Sequence, residues 1–132
     1  LPVADGVYTT YEGIPDMWTK YTYEHPALTG VYGMLPGDGV DQPTFKRTLE
    51  KVSKEWQFNR IWGWDFPMLA MAAARTGQPA LAIDMLMHPS DGALLTAVAM
   101  MCGGWDGSEG EAPGFPKDGS WTVRYEGFVP MQ

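Results

Sequence analysis

The fold of this chain is decided by the stretch Asp65-Phe66-Pro67-Met68-Leu69-Ala70-Met71-Ala72-Ala73-Ala74-Arg75-Thr76-Gly77. Its middle is apolar nearly all round, Pro67 suits a first helical turn, and Gly77 is a natural terminator. We therefore predict a helix over residues 66–76 with Asp65 as its N-cap. A helix that has no polar face is buried on all sides, so this helix must be surrounded by other packed elements.

Further helices are predicted on both sides of this stretch. Pro79 begins one after a very short loop, so the two should form an αα-hairpin. A second helix that is apolar nearly all round spans residues 93–102, and a short helix covers residues 26–34. Asp41 can cap another, whose apolar stripe recurs at helical spacing. The stripe comprises Phe45, Leu49, Val52 and Trp56.

The two ends of the chain are less regular. Residues 1–18 are predicted to be irregular or extended, with residues 7–11 as the best strand candidate. From residue 103 the chain is rich in Gly and Pro, and residues 121–125 predict a strand or an extended tail. The fold class is therefore mainly α, in one domain of 132 residues. Five short helices cannot easily surround two of their own number, which predicts packing against further protein, either missing sequence or another subunit.

Composition excludes several classes of function. The chain is 45% hydrophobic and 19% charged, as a globular domain is, and its net charge is −7. An acidic chain has no electrostatic footprint for nucleic acid or anionic lipid, and no run reaches the roughly 20 apolar residues of a membrane span. We therefore expect neither a nucleic-acid nor a membrane partner. Because the chain begins at Leu1 rather than Met, its location stays open, with secretion and the periplasm included.

Cofactor and metal chemistry are not indicated either. Cys102 is the single cysteine, and the two histidines are far apart in sequence, so no metal-ligand spacing exists. The glycines of residues 103–107 do not follow a strand and open a helix, as a dinucleotide loop does. The serines lack the Gly-x-Ser-x-Gly context of a hydrolase triad. The expectation is no metal and no cofactor.

Residues 56–67 form the strongest candidate binding segment. They contain three tryptophans, two phenylalanines, an Asn, an Arg and an Asp, and they lead directly into the apolar helix. Indole faces stack on the C–H faces of sugar rings, and a carboxylate beside them supplies directional hydrogen bonds to hydroxyl groups. A buried corner of a core can have the same composition, so both interpretations stay open.

Four motifs, taken in order, resemble the C-terminal stretch of a six-hairpin, (α/α)6-barrel glycoside hydrolase. Family 65 is the nearest parallel, and the α-L-fucosidases of family 95 are a more distant one. The motifs are HPALTGVYGMLPG (residues 25–37), WGWDFPMLAMAAARTG (62–77), GFPKDGSW (114–121) and EGFVPM (126–131). The resemblance covers almost the whole chain.

The resemblance implies that residues 1–132 are the C-terminal portion of an (α/α)6 catalytic barrel from a bacterium or fungus. The fold would be an incomplete set of helical hairpins with irregular or short-strand ends, acting on α-linked oligosaccharides. The early barrel helices and the usual general acid would lie outside the chain. The family pattern also has a longer loop after His88, so we expect a segment to be missing between Ser90 and Asp91.

Glycoside hydrolysis needs two carboxyl groups, about 5–5.5 Å apart for retention and about 6.5–9.5 Å for inversion. Asp65 is the candidate catalytic residue, because desolvation by its aromatic neighbours could tune its acidity, although a helix cap is the simpler explanation and the one that we favour. The candidate substrate-binding residues lie beside it or in loops before helices. They are Trp62, Trp64, Glu12, Asp16, Glu24 and His25.

Two other classes of function stay open. One is a non-catalytic carbohydrate-binding protein, which six tryptophans and six tyrosines also fit. The other is a structural or interaction protein that completes a helical barrel with another chain, including by domain swapping. Enzymatic activity is expected only if the rest of the barrel is supplied.

Overall fold

A computed structural model describes residues 1–89 and 92–131, and within these ranges the chain is mainly helical. A 3-10 turn, Ala27–Thr29, precedes the second helix, and two short strands, β1 (Val3–Ala4) and β2 (Val7–Tyr8), pair antiparallel. The six α-helices are α1 (Met17–Lys20), α2 (Gly30–Gly33), α3 (Gln42–Glu55), α4 (Asp65–Arg75), α5 (Pro79–Leu86) and α6 (Leu94–Gly103). The predicted mainly α fold class is confirmed.

Helix α4 is the centre of the core. Every residue from Asp65 to Ala74 is buried, and the helix packs against α2, α5 and α6. At Gly33 the backbones of α2 and α4 come so close that a Cβ would lie 2.7 Å from the carbonyl oxygen of Met68. The complete burial predicted from the all-apolar sequence is confirmed for this helix, as is its hairpin with α5.

Helix α3 follows the local rules on which its prediction rested. The Asp41 side chain accepts a hydrogen bond from the Thr44 amide at 2.9 Å, which satisfies one of the free N–H groups of the first turn. The predicted apolar stripe is buried along its whole length and includes Phe45, Leu49, Val52 and Trp56. The cap and the stripe are both confirmed.

The start of α4 differs from the prediction. The N-cap position is Trp64, which has no capping side chain, and Asp65 is the first helical residue. The prediction of Asp65 as an N-cap is therefore wrong. Its carboxylate does not bond the following helix amides, because it is turned toward His25 and the Trp62 amide instead.

The N-terminal end of the chain is less regular than predicted, whereas the C-terminal end lies within the prediction of a strand or an extended tail. The strand predicted over residues 7–11 stops at Tyr8, because its partner β1 has only two residues. Just beyond it, the Thr9 hydroxyl donates a hydrogen bond to the carbonyl oxygen of Tyr11. Residues 121–125 form no strand. The tail returns to α6 through a parallel bridge between Trp105 and Met131.

Helix α6 is only partly covered. Its buried residues are Ala97, Met100, Met101 and Cys102, whereas the Leu95 side chain is 83% exposed. The expectation that α6 is surrounded on every side is thus not met within the described ranges. None of the helices in those ranges combines the length and the apolar character that a bilayer crossing needs. The predicted gap between Ser90 and Asp91 lies outside the described residues.

Candidate functional site

A histidine and a buried aspartate meet at the N-terminal end of α4. The Nδ1 atom of His25 lies 3.1 Å from Oδ1 and 3.0 Å from Oδ2 of Asp65. The Asp65 side chain is 0% exposed, and that of His25 is 37% exposed. His25 just precedes the 3-10 turn, which packs against α4 and so brings two residues 40 positions apart into contact.

The buried carboxylate has two hydrogen-bond donors. The Trp62 amide donates to Oδ2 at 2.9 Å, and the His25 ring supplies the other contact. A buried carboxylate is costly unless it is paired, and an ionised one can only accept hydrogen bonds. An ionised Asp65 can accept at both contacts, with His25 Nδ1 as a donor when that nitrogen carries the ring proton. Among the residues that the structure describes, none is hydrogen-bonded to the other ring nitrogen, Nε2.

Two indoles enclose the His25 ring. The Trp64 ring centroid lies 4.9 Å from it at an interplanar angle of 34°, and the Trp62 centroid lies 5.4 Å away at 62°. Trp64 is half-buried, whereas Trp62 is 65% exposed. Because the large Trp62 side chain is exposed next to His25, a face of its indole ring is available for stacking.

His25 also borders a cavity of about 370 Å³. Its walls are largely aromatic, and Glu24, an exposed residue, is among the residues that line it. Trp56 is buried and fixes this wall, because its Nε1 donates to the Glu24 carbonyl oxygen at 2.7 Å. The lining includes Tyr11, Tyr21, Glu24, His25 and Trp56. Such a mixture of aromatic walls and a few polar groups is usual in small-molecule sites.

The structure brings together most of the predicted site residues. Asp65, His25, Trp62 and Trp64 form one cluster, and Glu24 lies beside it on the cavity wall. Glu12 and Asp16 do not line this cavity. Asp16 pairs instead with Lys20 at 3.2 Å on the exposed side of α1, and Glu12 lies in an exposed turn. A ligand role for these two acids stays a prediction.

Tyr11 and Tyr21 were not among the predicted site residues. Both are exposed and both line the cavity. The available signal was their position, since Tyr11 immediately precedes Glu12 and Tyr21 lies four residues before His25. An aromatic residue in a loop is too common to be singled out without the fold.

Metal binding has no candidate in the described ranges, where no three His, Cys, Asp or Glu side chains are grouped to hold an ion. Compared with family models, with curated proteins and with solved structures, the chain matches none. The resemblance to families 65 and 95 therefore stays a prediction that rests on the four motifs. The chemistry of the site has to be inferred from its own geometry.

Proposed function

We propose that this chain provides a sugar-binding surface of a glycoside hydrolase-type domain that acts on α-linked oligosaccharides. The observation that supports it most is the position of the exposed Trp62 against His25, whose ring is fixed by a fully buried Asp65 at the edge of an aromatic cavity. Sugars present both apolar C–H faces and hydroxyl groups, so they need an aromatic face and directional polar atoms side by side.

The parts of the site have separate tasks in this proposal. Trp62 stacks on one sugar face, while His25 Nε2 and the Glu24 carboxylate bind hydroxyl groups. Asp65 does not touch the substrate, because its side chain is 0% exposed and its oxygens face the His25 ring and the Trp62 amide. Glu24 is the one carboxyl that this proposal places at the cavity. The second carboxyl needed for hydrolysis comes from the rest of the barrel.

The proposed barrel also explains the uncovered apolar side chains. Leu95 at the start of α6 is 83% exposed, and Met87 after α5 is 75% exposed. In a complete (α/α)6 barrel, further hairpins cover such residues. The same observation favours a second candidate function, in which the chain binds sugar without catalysis and completes a helical barrel with another chain.

Calorimetry tests the proposal. The chain is titrated with maltotriose and with other α-linked glucosides, and Trp62→Ala is compared with wild type. We expect saturable binding that Trp62→Ala weakens by about tenfold or more, the effect of roughly 1.5 kcal/mol of lost aromatic contact. Trp121→Ala is the matched control, since Trp121 is also exposed but packs on Phe115 in the tail.

The outcomes separate the candidates. For this chain alone, binding without product is expected of both candidates, because the second carboxyl lies outside it. With a longer chain that includes the rest of the barrel, product detected by chromatography supports a hydrolase, and its absence supports the non-catalytic alternative. If no α-linked glucoside binds, or if Trp62→Ala and Trp121→Ala weaken binding equally, Trp62 is not the sugar platform and the proposal fails.

A further inference from the structure

The contact between His25 and Asp65 fixes more than the position of the ring. Both carboxylate oxygens lie within 3.1 Å of the same ring nitrogen, Nδ1. In a neutral imidazole one nitrogen donates and the other accepts, and the hydrogen bond at one nitrogen decides the role of the other. A carboxylate that can only accept therefore places the proton on Nδ1 and leaves Nε2 as an acceptor.

We propose that Asp65 is a positioning residue that holds His25 in this tautomer, and that His25 Nε2 accepts a hydrogen bond from a ligand hydroxyl. His25 thus keeps the ligand-binding role predicted from the sequence, whereas Asp65, the candidate catalytic residue, acts only through the histidine. The identity of the ligand as a sugar rests on the proposed function, whereas the tautomer does not.

The surroundings of His25 keep its ring in this orientation. The Trp64 ring lies 4.9 Å from it, tilted by 34°, and Trp62 meets it edge-on at 5.4 Å. The Trp62 amide holds Oδ2 from the other side at 2.9 Å, so the carboxylate cannot turn without losing a hydrogen bond. The indoles and the backbone therefore restrain both partners of the contact.

This arrangement selects a class of ligand. An acceptor nitrogen binds groups that carry a donor proton, such as sugar hydroxyls, and does not bind acceptor-only groups such as ionised phosphate or carboxylate. Glu24 is exposed and lines the same cavity, so it adds a negative charge nearby, which disfavours anions further. The site is thus built for a neutral polyhydroxyl ligand and against a phosphorylated or acidic sugar.

Nitrogen NMR of the full chain tests the tautomer directly. The chain has two histidines, so His88→Gln assigns the His25 ring signals without ambiguity. In alkaline buffer, where histidines are neutral, we expect a protonated Nδ1 and an unprotonated Nε2 at His25. A protonated Nε2, or an even mixture of both tautomers, would overturn the inference.

The variant Asp65→Asn sharpens this test. Its side-chain oxygen can still accept from the Trp62 amide, which turns the NH₂ group toward Nδ1 and makes Nδ1 the acceptor. We expect the His25 tautomer to reverse while the circular dichroism spectrum stays that of a helical protein. A purely structural Asp65 would leave the tautomer unchanged. Should Asp65→Asn not fold, the wild-type tautomer alone decides.

Calorimetry with maltotriose then tests what the tautomer does. Asp65→Asn should weaken binding by about tenfold, although Asp65 touches no ligand, and His25→Gln should weaken it at least as much. In wild type, glucose 1-phosphate should bind more weakly than methyl α-glucoside. Unchanged affinity in both variants, or a preference for the phosphate, would overturn the ligand role of Nε2.

The two proposals fail in different ways. If no α-linked glucoside binds but the tautomer is as expected, the sugar function fails and the positioning role of Asp65 stands. If Trp62→Ala weakens binding but Asp65→Asn does not, the sugar function stands and the positioning role fails.

Discussion

The two ends of α4 each hold a charged side chain, and they use it differently. At the C-terminal end, Arg75 donates to the backbone carbonyl oxygens of Tyr32, Leu35 and Pro36 at 2.7–2.9 Å. At the N-terminal end, Asp65 binds a side chain that borders a cavity. An acid at the start and a base at the end both suit the helix dipole. The dipole therefore explains the signs of the charges but not the difference between the two ends.

The difference lies in what the partners can do. Backbone carbonyl oxygens neither titrate nor change tautomer, so the contacts of Arg75 only fix the turn that follows α2. The Arg75 guanidinium also stacks over the Tyr32 ring, 4.1 Å from its centroid. Burial lowers the pKa of Arg75 from its ordinary value. This shift reflects the free-energy cost of burying the charged guanidinium, which the hydrogen bonds and the stacking offset. An imidazole has two nitrogens, so a contact at one leaves the other for a ligand. Arg75 is an anchor of the fold, whereas Asp65 has the positioning role in the proposed site.

The largest expected effect comes from breaking the anchor. Arg75→Ala removes three charge-assisted hydrogen bonds, and only water can then donate to the three carbonyl oxygens. We expect the free energy of unfolding to fall by about 3 kcal/mol, measured by urea denaturation. Arg75→Lys keeps the charge but cannot reproduce the planar fork, so it should restore only part of the loss. A loss below about 1 kcal/mol for Arg75→Ala would show that the anchor is unimportant.

The next effect is smaller and concerns the other end of the helix. His25→Ala leaves the fully buried Asp65 carboxylate with the Trp62 amide as its remaining partner among the described residues. An undercompensated buried carboxylate should lower the free energy of unfolding by roughly 2 kcal/mol. Trp62→Ala, in contrast, removes a side chain that is 65% exposed and should change stability by less than about 0.5 kcal/mol.

That pair of variants separates folding from binding in the same urea experiments. His25 pairs with Asp65 and borders the cavity, so in the proposed function it serves both, whereas Trp62 is proposed to serve the ligand alone. Equal losses of stability in His25→Ala and Trp62→Ala would mean that the indole is part of the core. The Trp62 face would then not be a free platform for a sugar.

Local rules in the sequence were sufficient for much of the fold. A cap, a helical stripe and a terminating glycine placed α3 and α4 within one or two residues of their observed ends. Helix α1 was missed because four residues are too few to show a period. The partial exposure of α6 was also not predictable, since an all-apolar helix shows no difference between a covered face and an open one.

The site depends on contacts that no local rule contains. The aromatic segment and His25 were both identified, yet nothing in the sequence pattern pairs His25 with Asp65 across 40 positions. The same missing contact explains the wrong N-cap, because Asp65 fits a cap until a tertiary partner draws its carboxylate away. Residue types could be predicted from the sequence, and their partners needed the fold.

The smallest expected effect concerns Asp41, which caps α3 in the way that Asp65 was predicted to cap α4. Hydrogen bonds from Thr44 hold the pKa of Asp41 below its ordinary value. A carboxyl whose pKa is lower in the folded chain stabilises the fold at pH values above the ordinary aspartate pKa of about 3.9. That contribution disappears as the pH falls through the lowered pKa.

Asp41→Asn keeps a capping oxygen but does not titrate. The melting temperature of wild type should therefore exceed that of Asp41→Asn by a few degrees at most near neutral pH. The gap should close below about pH 4, because protonation removes the charge from the wild-type cap. A gap that is constant down to strongly acidic pH would show that the Asp41 charge contributes nothing to the cap.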